Sequence, residues 1–240
     1  MFDFETQGLD QAIKDLDALE REQLPFALAL TATWTAQDVQ VAEKKLISNV
    51  FDNPNRYTKN SVYIKSATKN NPVAAVWLKD EWATAKGGNA AEYLSPHIFG
   101  GPRKNKRFEK AMQRRGLLKL GQFTVPAKPA KRDRFGNISR GQIGKMLSNI
   151  GAQHDQQQNS KRGISYFLFE NNDGSLSGVW QRTANGIMPF LLFVDQAPKY
   201  QKRFRFFEMA NRTMNKRMQI NFHRAMNHAI GSSLGSKRAA

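Results

Sequence analysis

The apolar positions recur with helical spacing at the two ends of the chain and with strand spacing between them. Leu9, Ile13, Leu16 and Leu19 repeat at three and four residues with acids opposite, which predicts an amphipathic helix over Gly8 to Glu22. Leu24-Pro25 interrupts it: a residue before proline avoids the helical region, and Pro25 suits the first turn of a new helix. That second helix is predicted to reach about Val50, carrying Leu28, Leu30, Trp34, Val39, Val41, Ala42 and Leu46 on an apolar face until Asp52-Asn53-Pro54-Asn55 stops it. Ser61–Ala67 and Val73–Lys79, rich in β-branched and aromatic residues around Asn70-Asn71-Pro72, predict a hairpin.

Further along, Arg103 to Arg115 reads as a short basic helix opened by Gly100-Gly101-Pro102, and Ile138 to about Gln158 as a glycine-frayed helix. Gln122 to Asn137, with Pro126, Pro129 and Gly136, reads as an exposed mobile loop that can form no core. Ile164–Glu170, Leu176–Arg182 and Ile187–Val194, punctuated by Asp173-Gly174 and Asn185-Gly186, predict a three-stranded antiparallel meander. A helix from about Lys199 to Ile230 follows, with Tyr200, Phe204, Phe207, Met214, Met218, Phe222, Ala225 and Ala229 as its expected buried stripe. The predicted class is α+β, a central antiparallel β-sheet (the meander) flanked by long amino- and carboxy-terminal helices. The expected organisation is an amino-terminal helical pair over 1–50 and an α+β core over 51–198 that contains the basic loop 122–137. A carboxy-terminal helix over 199–231 and a disordered basic tail over 232–240 complete it.

Charge changes this picture from a fold into a surface. The net charge is +17, unevenly placed. Residues 1–50 hold nine acids and four bases, 101–150 hold fourteen bases and two acids, and 199–240 hold ten bases against Glu208 alone. Such a balance points to phosphate, an acidic protein surface or an anionic membrane as partner. An acidic face at one end and basic faces elsewhere also suit head-to-tail contact between copies, the arrangement that closes into rings. The candidate interface joins Asp10, Asp15, Asp17 and Glu20 of one copy to the apolar stripe around Phe204, Phe207 and Met214 of the next. Lys128, Lys131, Arg132 and Arg134 form a candidate loop for nucleic acid or a partner.

Candidate chemistry is sparse. There is no Cys, which excludes disulfides, thiolate metal sites and cysteine nucleophiles. His223 and His228 stand five apart, about 140° around a helix, so they do not share a metal as an i, i+4 pair would. No nucleophile elbow, phosphate loop or dinucleotide fingerprint is present, and Asp80-Glu81 is a lone acidic pair. Gly141-Gln142-Ile143-Gly144 matches the Gly-x-x-Gly loop of K-homology domains, although the flanking strand order does not fit that fold. No enzyme, cofactor or metal site is expected. The amino terminus lacks a signal-peptide pattern and the longest apolar run, Ile187 to Val194, is too short for a membrane span, so the chain is expected to stay on the cytoplasmic side.

The Gly8-Leu9-Asp10-Gln11-Ala12 opening, the Ala-rich second helix entered through Leu24-Pro25, the basic loop, the meander ending in Met188-Pro189-Phe190 and the basic last helix together resemble a known family. It is the minor tail protein Z, or tail-completion, family of lambda-like tailed bacteriophages. The segment Tyr93-Leu94-Ser95-Pro96-His97-Ile98-Phe99-Gly100-Gly101-Pro102-Arg103 is similar to stretches of phage neck and tail proteins. The resemblance implies a structural virion protein of the tail and neck, made in the host cytoplasm, with no catalytic residues to carry over. It also implies a homo-oligomeric ring, expected to be a hexamer, joining the tail to the head connector. Its partners would be further copies of itself, the tail tube, tail terminator or tape-measure protein, and the head connector proteins. The alternative drawn from charge alone is a sequence-independent DNA-binding protein acting in genome packaging or replication.

Overall fold

The computed structural model describes residues 23–80, 89–160 and 165–238, with side chains as far as Gly231. The helix expected over Gly8–Glu22, and with it Asp10, Asp15, Asp17 and Glu20, lies outside the described residues. The elements are α1 (Leu24–Val50), the single turn α2 (Arg56–Lys59), β1 (Val62–Lys65), β2 (Ala75–Leu78), α3 (Ala90–Phe99), β3 (Gly101–Pro102) and α4 (Arg107–Arg114). They continue with β4 (Phe123–Pro126), α5 (Arg140–Asn149), β5 (Tyr166–Glu170), β6 (Leu176–Thr183), β7 (Gly186–Val194), β8 (Lys199–Tyr200) and α6 (Phe206–Arg238). The class is α+β, with long helices before and after the antiparallel sheets in chain order. Two compact units form: residues up to Ala91 together with those from Arg203 onward, and residues Glu92–Lys202.

The first unit is built on α1 and α6, which run antiparallel. Ala27 packs with Ala225 and Ala229, Thr35 accepts from Asn221 Nδ2 at 3.2 Å, Asp38 accepts from Arg217 Nε at 2.8 Å, and the Phe51 ring meets Phe204. On α6 the contact row is thus Arg217, Asn221, Ala225 and Ala229, spaced four apart along one ridge. Ala225 and Ala229 of the expected stripe are buried, and the rest of it is corrected. Phe207, Met214 and Met218 are 56%, 41% and 55% exposed, Tyr200 belongs to β8, and Phe204, which is fully buried, precedes the helix. The reason is the ridge: a row spaced four apart drifts around the helix, so α1 meets Asn221, Ala225 and Ala229 with Met226 packed beside them, and Phe207, Met214 and Met218 fall outside the contact. The carboxy-terminal end is corrected too, because α6 begins at Phe206 and continues to Arg238 through the segment expected to be a disordered tail.

The hairpin β1–β2 pairs antiparallel with Tyr63 opposite Trp77, their rings edge to face at 4.8 Å. Two side chains of α1 pin it. Gln40 Nε2 donates to Val62 O at 2.9 Å, and Thr33 Oγ1 accepts from the Ala67 amide at 3.0 Å.

The second unit carries the meander at the expected positions, β5–β6–β7, and extends it with β4 in the order β4-β7-β6-β5, antiparallel throughout. Gly174 at φ 76° and Gly186 at φ 111° occupy the region where only glycine is unstrained, so both turns close as the sequence predicts. Pro189 interrupts the amide row of the interior strand β7, and the register slips between Val179 and Trp180 at that point. One face of the sheet packs with α4 and α5 around Met112, Leu118, Met146, Tyr166, Val179, Phe190 and Leu191.

Candidate functional site

The segment 122–137 is the first place where the structure departs from a mobile loop. Phe123–Pro126 is an edge strand, Ala127 donates its amide to Phe190 O at 3.0 Å, and Ala127 and Ala130 are buried. Two small apolar residues three apart seat the segment, which a reading weighted toward its prolines and bases does not detect. Asp133 then closes a tight turn, its Oδ1 accepting from the Phe135 and Asn137 amides at 2.9 Å each, with Gly136 at φ 77°. The candidate residues Lys128, Lys131, Arg132 and Arg134 are all exposed along this ordered segment. Arg132 bends back toward Pro126 O and Ala127 O, and the Arg134 guanidinium lies 4.8 Å from the Phe135 ring centre.

The outer edge of β4 is not left open. Glu109, fully buried at the third position of α4, accepts from the Lys106 amide at 2.6 Å and from the Thr124 amide and hydroxyl at 2.7 and 2.8 Å. Arg103 grips the same carboxylate bidentately at 2.7 Å twice and donates to Thr124 O at 2.9 Å, while Asn105 donates to Gln122 O. Side chains thereby satisfy the backbone groups that a fifth strand would otherwise take. Burial works to raise the Glu109 carboxyl, but the hydrogen bonds from Arg103, Lys106 and Thr124 outweigh it and hold it below the ordinary range. Nothing in the spacing of Arg103 and Glu109 sets them apart from the surrounding charges; only the fold pairs them.

Outside the core, α4 presents Arg107, Lys110 and Arg114 to solvent. At its end a shallow cleft of about 230 Å³ is lined by Ala111, Arg114, Arg115, Ala152, Gln153 and His154. Arg115 is held there by donation to Gln153 O at 3.2 Å and, with the Gln156 amide turned to accept, to Gln156 at 2.6 Å.

Among the other candidate residues, Phe204 is fully buried against Phe51 and Phe206 of the same chain, whereas Phe207 and Met214 stand exposed on α6. In the first unit Asp38 is pushed up by burial and pulled further down by the bonds from Arg217 and Asn221. Glu43 on α1 is fully buried with neither carboxyl oxygen hydrogen-bonded, and burial pushes its pKa up to about 8.

The histidines do not converge. His97 stacks edge-on against Tyr200, His228 lies beside Phe26 and Trp34, and His154 and His223 are exposed. Among the described residues no group of three or more His, Asp or Glu could hold a metal ion, and no helix is long and apolar enough to cross a membrane. Gly141 and Gly144 lie inside α5, which Ser139 and Gln142 cap reciprocally, so the Gly-x-x-Gly match is helix and not a backbone-clamping loop.

No curated protein and no solved structure matches the chain. A family does: Prophage minor tail protein Z (GPZ), over residues 6–136. That range takes in the acidic amino-terminal segment, α1, the β1–β2 hairpin, α3, α4, β4 and the basic turn, and it ends before α5 and the meander. It covers more than half of the chain, which therefore belongs to the prophage minor tail protein Z family, structural proteins of the bacteriophage tail.

Proposed function

We propose that the protein is a tail-completion component at the neck, where copies of it close into a ring that joins the tail to the head connector. The observation that carries this reading is the division of charge, with nine acids in residues 1–50 against fourteen bases in 101–150 and ten in 199–240. Such opposed patches on one chain favour a heterologous contact, in which one face of a copy meets a different face of its neighbour. Phe207 and Met214, exposed on α6 among bases, supply apolar area for that contact, and Asp10, Asp15, Asp17 and Glu20 supply the complementary acids. A hexamer is the expected closure. Lys128, Lys131, Arg132 and Arg134 would face a neighbouring copy or another tail protein such as the tail terminator or tape-measure protein.

Mass photometry of the purified chain should find a ring, or a monomer that converts to one on entering particles. Asp15→Lys with Asp17→Lys should leave the monomer folded and slow assembly, most clearly at low salt where screening is weak. A protein that stays monomeric at all concentrations and is absent from purified virions would overturn the reading. An unchanged assembly rate in the double variant at low ionic strength would remove the charge matching.

A further inference from the structure

One surface of the second unit, drawn from the fourteen bases in 101–150, has a single kind of chemistry. Arg107, Lys110 and Arg114 are exposed on α4 at i, i+3 and i+7, which places them within about 60° of one another around the helix. The opposite side of α4 is spent on the core, through Met112 and the half-buried Phe108, and on the Glu109 network. The stripe runs into the cleft where Arg114, Arg115 and His154 converge around about 230 Å³, and Gln153 and Gln156 hold the Arg115 guanidinium in place there.

The acids that flank this surface each have partners of their own. Glu109 is enclosed by Arg103, Asp133 is turned to its own backbone, and Asp155 caps the 3-10 turn Gln156–Gln158 through Gln157 N and Gln158 Nε2.

We propose that this face of α4, with its terminal cleft, binds the phosphate backbone of duplex DNA without regard to sequence. From Arg107 to Arg114 the helix advances about 10 Å, a length over which duplex DNA presents roughly six negative charges. Three of the four bases are arginines, whose planar forks match phosphate oxygens in pairs. Ala111 and Gln113 are what stand between the bases, so the face lacks the apolar anchor on which a protein interface is centred. The surface is complete in one chain, so the inference goes beyond the ring and does not depend on it.

The test is fluorescence anisotropy of the full-length chain with labelled duplexes of about 30 base pairs, in two unrelated sequences, across a salt series. Both duplexes should bind equally and lose affinity steeply with salt. Arg107→Gln with Lys110→Gln and Arg114→Gln should lower the salt slope by about two to three and weaken low-salt binding on the order of tenfold. Lys45→Gln with Lys59→Gln and Lys65→Gln, an equal loss of charge from exposed positions of the first unit, should change the slope by less than about one. Arg114→Gln alone, for use if the triple variant does not fold, should lower it by about one. Equal losses in the two triple variants would overturn the proposal, because net charge and not this face would then carry binding. So would the absence of salt-dependent binding, or displacement of the DNA by polyglutamate at equal charge, which would make the surface an acidic-protein site.

Discussion

Unfolding by urea at a series of pH values should show the Glu43→Met variant gaining on the native protein as pH rises from about 5 to 9. Glu43 is held protonated by burial up to about 8, above its ordinary 4.5. The folded state therefore keeps a proton that the unfolded state has released. The stability tied to that proton is fully present below about 4.5, falls through the interval, and is lost once pH passes about 8. Each pH unit of the interval is worth about 1.4 kcal/mol, which accumulates to roughly 4 kcal/mol by pH 8. Methionine fills a similar volume without a polar group to desolvate, so Glu43→Met should be the more stable protein at pH 8 by about 2–4 kcal/mol. Glu43→Gln should flatten the pH dependence and recover less, since a buried amide with no partner remains costly. Parallel pH profiles for the native protein and Glu43→Met would show that the carboxyl is solvated in the fold.

Arg103→Met should destabilise the second unit by about 3–5 kcal/mol, because it leaves the Glu109 carboxylate buried with only the Lys106 and Thr124 donors. Adding Glu109→Leu to that variant should restore much of the loss, although the Thr124 amide at the sheet edge then goes unsatisfied. The pH dependence runs opposite to that of Glu43. A carboxyl whose folded pKa is lowered contributes above its unfolded value of about 4.5 and loses that contribution as pH falls through the folded pKa. Acid should therefore weaken the second unit in the native protein and affect the double variant less. A cost under about 1 kcal/mol for Arg103→Met would mean that the pair is exchangeable with water.

Much of the proposed interface was legible in the sequence. The acid-rich first fifty residues and the basic stretches stand out by counting, and counting is enough because like charges on a surface act through their sum. The α4 stripe was visible as a basic helix, but not as a site: Arg107, Lys110 and Arg114 acquire meaning only once Phe108 and Met112 are seen to take the inward face and His154 is brought to the end of the helix. The segment 122–137 was misjudged for the same reason. Its bases are surface residues as read, whereas its two buried alanines are anchored by contacts with strands far along the chain.

The sequence by itself determined what depends on neighbours a few residues away. Asp173-Gly174 and Asn185-Gly186 set the meander because a backbone at positive φ needs glycine wherever the strands end up. Leu24-Pro25 marked the entry to α1 for an equally local reason. Tertiary structure alone decided which part of the α6 stripe is buried, that β4 joins the meander, and that Arg103 and Glu109 close its edge. In each case periodicity offered more than one face or partner. Ala225 and Ala229 of the expected stripe are buried while Phe207 and Met214 are not, because a row spaced four apart drifts around α6 and meets α1 from Arg217 to Ala229. That is a property of the pair of helices, and it is absent from either one alone.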